Sequence, residues 1–350
     1  MNEANSTPVR HRLSEPVRVG LVTVGVLTAV ITTLLLAGAL RPVDLLTPGR
    51  HGTTAEIVAE DFGPDAARYE WSYDGQEVYA IARGLPDFDQ VESTVGLARY
   101  RMQRILAPAI ASLAGPGTPI VLVLLALNLL GCGLAAGGLA DLSRRHGRDP
   151  LLGYLAVFPL LLPLLISTSE PLAFGLAFVG VALADRGRLA AAVVVLALAG
   201  LGRETAAAVA VGAGAGLALA GRMQAGALLA AIPAAVVGAW YVLLGRLVEG
   251  HVPDLVELGG FRHADGREQA LALATFGLSV AAAWWWRDVA VLWPVALGFG
   301  LWVGLYVPDT LDWLALVRVS APSLILGVAG LAHEVRRHPS GRSSTGVARV

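Results

Sequence analysis

Residues 69–76 form the densest polar and aromatic cluster of the first polar stretch, with the sequence Tyr-Glu-Trp-Ser-Tyr-Asp-Gly-Gln. Asp74 follows an aromatic residue and precedes a glycine, a pattern typical of a turn that presents a carboxylate. The same pattern is typical of an Asx turn or a helix cap, in which the carboxylate binds only backbone N–H groups. The segment therefore offers a carboxylate whose role is either chemical or structural.

Three arginines have the chemistry of anion ligands. Arg101 and Arg104 are three residues apart, so a helix would place them on one face, and arginine suits bidentate binding of phosphate. The alternative is an interfacial helix that rests on anionic lipid headgroups. Arg318 lies within the last hydrophobic run, where it is expected either to bind an anion in a cavity or to reach the headgroups and pair with Asp312.

The two middle hairpins carry charged tips. Residues 151–185 and 189–222 must each cross the membrane and return in about 35 residues, whereas two full spans and a turn need more than about 40. The tips, which contain Glu170, Arg203 and Glu204, therefore fall short of the far surface. Charged groups at that depth need a water-filled or protein-lined cavity. The lengths predict a recessed polar cavity that the first loop covers.

The composition predicts an integral membrane protein, the class that the short charged hairpins also indicate. Of 350 residues, 55% are hydrophobic and 15% are charged, more apolar surface than a soluble domain of this size can bury. We expect an all-α integral membrane protein, a single domain over residues 1–350, with about ten transmembrane helices. The hydrophobic runs cover residues 19–40, 118–140, 151–166, 172–184, 189–201, 205–220, 224–244, 269–285, 289–307 and 313–332.

The distribution of arginine predicts the orientation. Residues 1–18 and 333–350 form arginine-bearing tails, and the arginine-rich connectors fall on the same side as both tails. The positive-inside rule then places both termini in the cytoplasm of a multi-pass protein of the cell membrane. Residues 41–117 form a long extracytoplasmic first loop, in which patches of helical periodicity indicate interfacial helices.

Several other classes of function find no support. The net charge of −1 lacks the concentrated basic face that nucleic-acid binding needs. The sequence contains no glycine-rich phosphate-binding loop with a lysine, so it gives no indication of an ATP-driven pump. His251 and His263 lack the spacing of zinc ligands, so no metal site is expected and no cofactor is indicated. A requirement for a divalent metal stays open.

The order of four short segments resembles the GT-C superfamily of membrane glycosyltransferases. Residues 73–82 are similar to the segment of bacterial relatives that begins Asp-Gly-Gln, and residues 99–108 are similar to their YRxQRILxP segment. Residues 168–172 and 202–206 resemble the SEP and RET turns after the third and fifth spans. The resemblance implies a cell-envelope enzyme that uses a sugar on polyprenyl phosphate as donor, with a glycan or lipid as acceptor, outside the cytoplasm.

The resemblance also implies roles for particular residues. Inverting transfer needs a carboxylate that takes the proton of the acceptor hydroxyl, and Asp74 matches the motif, with Asp61 and Glu70 as alternatives. The lipid phosphate that leaves needs positive charge, for which Arg101, Arg104, Arg203 and Arg318 are the candidates, with Arg203 first because its tip is recessed. The substrate-binding residues expected in all are Glu70, Gln76, Arg101, Arg104, Glu170, Arg203, Glu204 and Arg318.

Two alternatives stay open. A transporter or flippase of lipid-linked glycans would use the same outward cavity and the same arginines, but it would need no base. A catalytically inactive scaffold of an envelope complex is the third possibility.

Overall fold

The computed structural model describes residues 13–51, 54–71, 73–249, 266–298 and 321–337. These residues confirm the all-α class. The helices are α1 Glu15–Leu36, α2 Ala55–Phe62, α3 Asp74–Gly84, α4 Phe88–Thr94, α5 Ala98–Arg101, α6 Leu106–Ala111, α7 Thr118–Arg145, α8 Phe158–Leu165, α9 Glu170–Asp185, α10 Leu189–Gly202, α11 Glu204–Leu219, α12 Met223–Leu247, Gly266–Trp285 and Ala321–Arg337. Strands β1, Gly49–His51, and β2, Tyr69–Trp71, pair in parallel.

Three helices in the described part of the chain are long and apolar enough to cross a membrane, namely α1, α7 and α12. Helices α9, α10 and α11 have 16, 14 and 16 residues. At 1.5 Å per residue they measure only about 21 to 24 Å, less than the roughly 30 Å of a hydrocarbon core. These lengths agree with the short middle hairpins that the sequence predicts, while the full number of ten spans stays a prediction.

The third hydrophobic run differs from the continuous helix expected over residues 151–166. It forms a 3₁₀ helix over Pro150–Val157 and then the eight-residue helix α8. Pro159 and Pro163 have no N–H to donate to the preceding turn, so the run does not support a regular α-helix along its whole length. The expected ninth and tenth runs extend into residues 299–320, outside the described residues.

Glycines allow α7 to pack closely against α9 and α1. A Cβ atom on Gly175 of α9 would lie 2.2 Å from the carbonyl oxygen of Gly131 in α7. A Cβ on Gly131 would in turn lie 2.3 Å from the backbone of Pro171. On another face of α7, Gly133 meets Gly20 of α1, whose Cβ would lie 2.8 Å from the Gly133 carbonyl oxygen. Small residues at these crossings bring the backbones together, as is usual for helices in membranes.

We expect Gly175→Ala to destabilise the protein by about 1–3 kcal/mol, because the new methyl group would overlap backbone atoms that cannot rotate away. The matched control is Gly25→Ala on α1, where a Cβ meets nothing within 4 Å. There the higher helix propensity of alanine should leave stability unchanged or raised. Thermal unfolding of the purified variants in one detergent measures both effects. Equal unfolding temperatures would show that the α7–α9 crossing adapts to the added group.

The described residues of the first loop, 41–117, share the hydrophobic core of the helical bundle. Leu45, Leu46, Tyr79 and Met102 are fully buried in the hydrophobic core. The loop therefore packs against the bundle, and its five short helices hold defined positions over the ends of the longer helices.

Ion pairs fix the loop where it leaves α1. Asp44 accepts a hydrogen bond from the Arg41 guanidinium at 2.8 Å and forms an ion pair with Arg68 at 3.1 Å. Burial acts to raise the pKa of Asp44, but the hydrogen bonds from Arg41 and the nearby positive charges hold that pKa below its ordinary value. The carboxylate therefore stays ionised at neutral pH and keeps both arginines in place.

The arginine-rich connectors meet at the end of the bundle opposite this loop. Arg145, at the end of α7, donates to Asp185, at the end of α9, at 2.6 Å. Arg186 binds Asp141 beside them. Because α7 and α9 begin near the first loop and end at this cluster, the bundle has one end covered by the loop and one end rich in arginine.

Candidate functional site

The start of α3 lies directly on the tip between α8 and α9. A Cβ atom on Gly75 would lie 2.2 Å from the carbonyl oxygen of Ile166, so only glycine fits at this position. The contact places Asp74, the first residue of α3, beside the start of α9. The glycine that follows the aspartate thus has a packing role that its sequence neighbours do not reveal.

Arg104 joins the first loop to the start of α11. Its guanidinium makes two bonds of 3.2 Å to the carboxylate of Glu204, one of 3.3 Å to Asp74 and one of 3.0 Å to the hydroxyl of Tyr100. The arginine is 7% exposed. Burial acts to lower the pKa of Arg104, but Glu204, Tyr100 and Asp74 raise it above its ordinary value. The guanidinium is therefore a permanent positive charge.

A second buried ion pair lies next to the first. Arg203 donates to Glu170 at 2.5 Å, and the two residues are 4% and 0% exposed. Arg203 directly precedes Glu204, and both Glu170 and Glu204 act on the charge of Arg104. The charged residues Glu170 and Arg203 at the tips of the two short hairpins are thus buried inside the protein.

The three acids of this cluster share a position in their helices. Asp74, Glu170 and Glu204 are the first residues of α3, α9 and α11. A helix N-terminus carries about half a positive charge, which stabilises a carboxylate placed there. Three converging N-termini and two arginines therefore surround three carboxylates. An anion that replaces one of the acids would meet the same arginines and helix N-termini.

Arg101 does not share the surroundings of Arg104, and the prediction that the two lie on one helical face is wrong. Helix α5 ends at Arg101, and the next residues form a turn. Arg101 instead contacts the Glu77 carboxylate at 2.7 Å and donates to the Gly96 carbonyl at 2.9 Å. Burial raises the pKa of Glu77, against the opposing effect of Arg101. The pair is inside the loop and supports its fold.

Gln76 is fully buried and both ends of its amide bind other parts of the loop. The oxygen accepts from the Gly49 N–H at 2.9 Å, and the nitrogen donates to the Thr54 hydroxyl at 2.7 Å. These bonds hold the start of α3 against the strand that follows α1. The structure therefore places Gln76 beneath Asp74 as a support of the loop.

The other candidate acids lie outside the cluster. Glu70 is exposed on β2. Asp61 accepts hydrogen bonds from the Tyr79 hydroxyl and from Arg83, the latter at 3.2 Å. Asp74 is thus the acid among the three that contacts Arg104. Arg318 falls outside the described residues, so its predicted role stays a prediction.

Two aromatic residues complete the site that the expected substrate-binding set did not include, although Tyr100 is the tyrosine of the 99–108 segment. Tyr100 lies under Arg104, with the guanidinium carbon 5.2 Å from the ring centre. Trp240, on α12, donates its indole N–H to the Met102 carbonyl at 3.0 Å. Trp240 thereby attaches the turn that carries Arg104 to a long helix 138 residues further along the chain. Separation of that kind leaves no local pattern to detect.

No group of three or more histidine, cysteine, aspartate or glutamate side chains in the described ranges has the arrangement of a metal site. Comparison of the chain with family models, with curated proteins and with solved structures finds no match.

Proposed function

We propose that this chain is a GT-C-like glycosyltransferase that transfers a sugar from a polyprenyl-phosphate donor to a glycan or lipid acceptor of the cell envelope. The protein spans the membrane about ten times, with the first loop outside and both termini in the cytoplasm. The proposal rests on the resemblance of four segments to that superfamily, together with their physical proximity.

The observation that carries the proposal is the cluster around Arg104. Asp74, Arg104 and Glu204 come from three of the four segments, and Arg104 binds both acids, while Glu170 of the fourth segment pairs with Arg203 beside them. Arg104 and Glu204 are 100 residues apart in the chain. Segments that serve one reaction are expected to meet in this way, whereas four chance matches have no reason to do so.

The cluster supplies the groups that inverting transfer needs. Asp74 takes the proton of the acceptor hydroxyl as the oxygen attacks the anomeric carbon. The bond between that carbon and the phosphate oxygen breaks, and the lipid phosphate leaves with the electron pair. Arg104, with Arg203 behind it, stabilises the charge that develops on the phosphate.

Asp74 is more accessible than its neighbour Glu204, whose side chain is 23% exposed. Arg104 donates once to Asp74, at 3.3 Å, and twice to the Glu204 carboxylate, at 3.2 Å. The Asp74 side chain is 33% exposed. A phosphate that binds Arg104 therefore displaces Asp74 more easily than Glu204, and this exchange frees the base for the acceptor.

The test is transfer by membranes that contain the full-length protein, compared with membranes from cells with an empty vector. Radiolabelled polyprenyl-phosphate sugars serve as donors with extracted envelope glycans and lipids as acceptors. We expect a labelled product whose anomeric configuration is opposite to that of the donor. A product with retained configuration would contradict the single-displacement mechanism. Donor that only moves between leaflets, without product, would contradict the enzyme and favour a flippase.

A further inference from the structure

The Tyr100 hydroxyl accepts a hydrogen bond from Arg104. Its oxygen accepts an N–H of Arg104 at 3.0 Å, and its ring lies 5.2 Å from the same guanidinium. Tyr100 is half-buried. The phenol is therefore fixed in place by an arginine that belongs to the proposed site.

A phenol that accepts one hydrogen bond still has a hydrogen to donate. Among the described residues the structure shows no acceptor for the Tyr100 hydroxyl hydrogen. The positive charge of Arg104 draws electron density from the phenol oxygen and so strengthens the O–H as a donor. A negatively charged oxygen is the preferred partner of such a donor.

Resting on the proposed function, we propose that the Tyr100 hydroxyl donates a hydrogen bond to the phosphate of the donor lipid, beside Arg104. The phosphate then meets two adjacent donors of different kinds, a guanidinium N–H and a phenol O–H. Both donors strengthen as negative charge develops on the leaving phosphate, so Tyr100 contacts the reacting group in the transition state.

The experiment compares Tyr100→Phe with the wild type in binding of polyprenyl monophosphate, the leaving product, to the full-length protein in nanodiscs. The phenylalanine keeps the ring under Arg104 and removes only the hydroxyl. A hydrogen bond to a charged group contributes about 1.5–3 kcal/mol, so we expect binding about 10- to 100-fold weaker. Tyr241→Phe is the matched control, because Tyr241 also lies under an arginine, Arg99, at 5.5 Å. Binding by this control should be unchanged.

A second variant separates donation to phosphate from support of Arg104. Placing 3-fluorotyrosine at position 100 makes the hydroxyl a better donor and a poorer acceptor. At mildly acidic pH, where the phenol stays protonated, donation to phosphate predicts tighter binding than in the wild type. A role limited to accepting the Arg104 N–H predicts weaker binding, and that result would overturn the inference.

The outcomes distinguish this inference from the proposed function. Equal binding by the wild type and Tyr100→Phe, with transfer intact in the wild type, overturns the role of Tyr100 and supports the proposed glycosyltransferase activity. Phosphate binding that depends on Tyr100, without sugar transfer, supports the contact between Tyr100 and phosphate and contradicts the proposed enzymatic activity. Neither binding nor transfer in the wild type overturns both.

Discussion

Replacing Asp74 with asparagine is expected to lower the rate of sugar transfer at least about 100-fold, because a positioned general base typically contributes a factor of about 10² to 10⁴. The asparagine has the shape of the aspartate, and its amide oxygen still accepts from Arg104 at the position where Asp74 lies 3.3 Å away. The fold and the binding of the donor should therefore survive. Transfer of labelled sugar, measured beside the amount of folded protein, gives the result.

The controls for this prediction are the two other candidate bases. Glu70→Gln should leave transfer unchanged because Glu70 is exposed on β2. Asp61→Asn removes the negative charge beside Tyr79 and Arg83 and is expected to alter the stability of the loop, with transfer per folded molecule unchanged. Equal transfer by Asp74→Asn and the wild type would remove Asp74 from the role of base. Full transport of lipid-linked glycan by Asp74→Asn, without transfer by either protein, would instead identify a flippase.

Replacing Arg203 with methionine is expected to destabilise the protein by about 3–5 kcal/mol, the usual effect of removing one member of a buried ion pair. Glu170, at 0% exposure, would lose the guanidinium that lies 2.5 Å from it. Its ionised carboxylate would then lie among buried groups without that opposite charge. The temperature of half-unfolding of the purified protein in detergent measures the loss.

Two further variants test the physical reason. Adding Glu170→Gln to Arg203→Met removes the buried negative charge, so a large part of the stability should return. Arg145→Met removes a pair of similar length, 2.6 Å from Arg145 to Asp185, whose arginine is 39% exposed. Exposed pairs contribute about 1 kcal/mol or less, so this variant should unfold close to the wild type. Equal effects of Arg203→Met and Arg145→Met would contradict the importance of burial at the tips.

The local order of residues accounts for the helical class and for much of the candidate site. Hydrophobic runs and their lengths depend only on neighbours along the chain, so they indicate apolar helices and short hairpins before any tertiary contact is known. The short hairpins in turn predict that Glu170, Arg203 and Glu204 lie at recessed tips. Asp74 and Arg104 stand out through their residue types and spacing.

Only the tertiary structure shows which partners these side chains bind. Arg101 and Arg104 have the spacing of one helical face, yet the helix ends between them and they bind different partners. Gln76 has the chemistry of a substrate ligand, but it is buried and supports the loop. The Tyr100 hydroxyl is held by its hydrogen bond from Arg104. Arg104 in turn binds Glu204, at the start of a helix that begins 100 residues later. Such contacts depend on packing between distant segments, and no local pattern of residues encodes them.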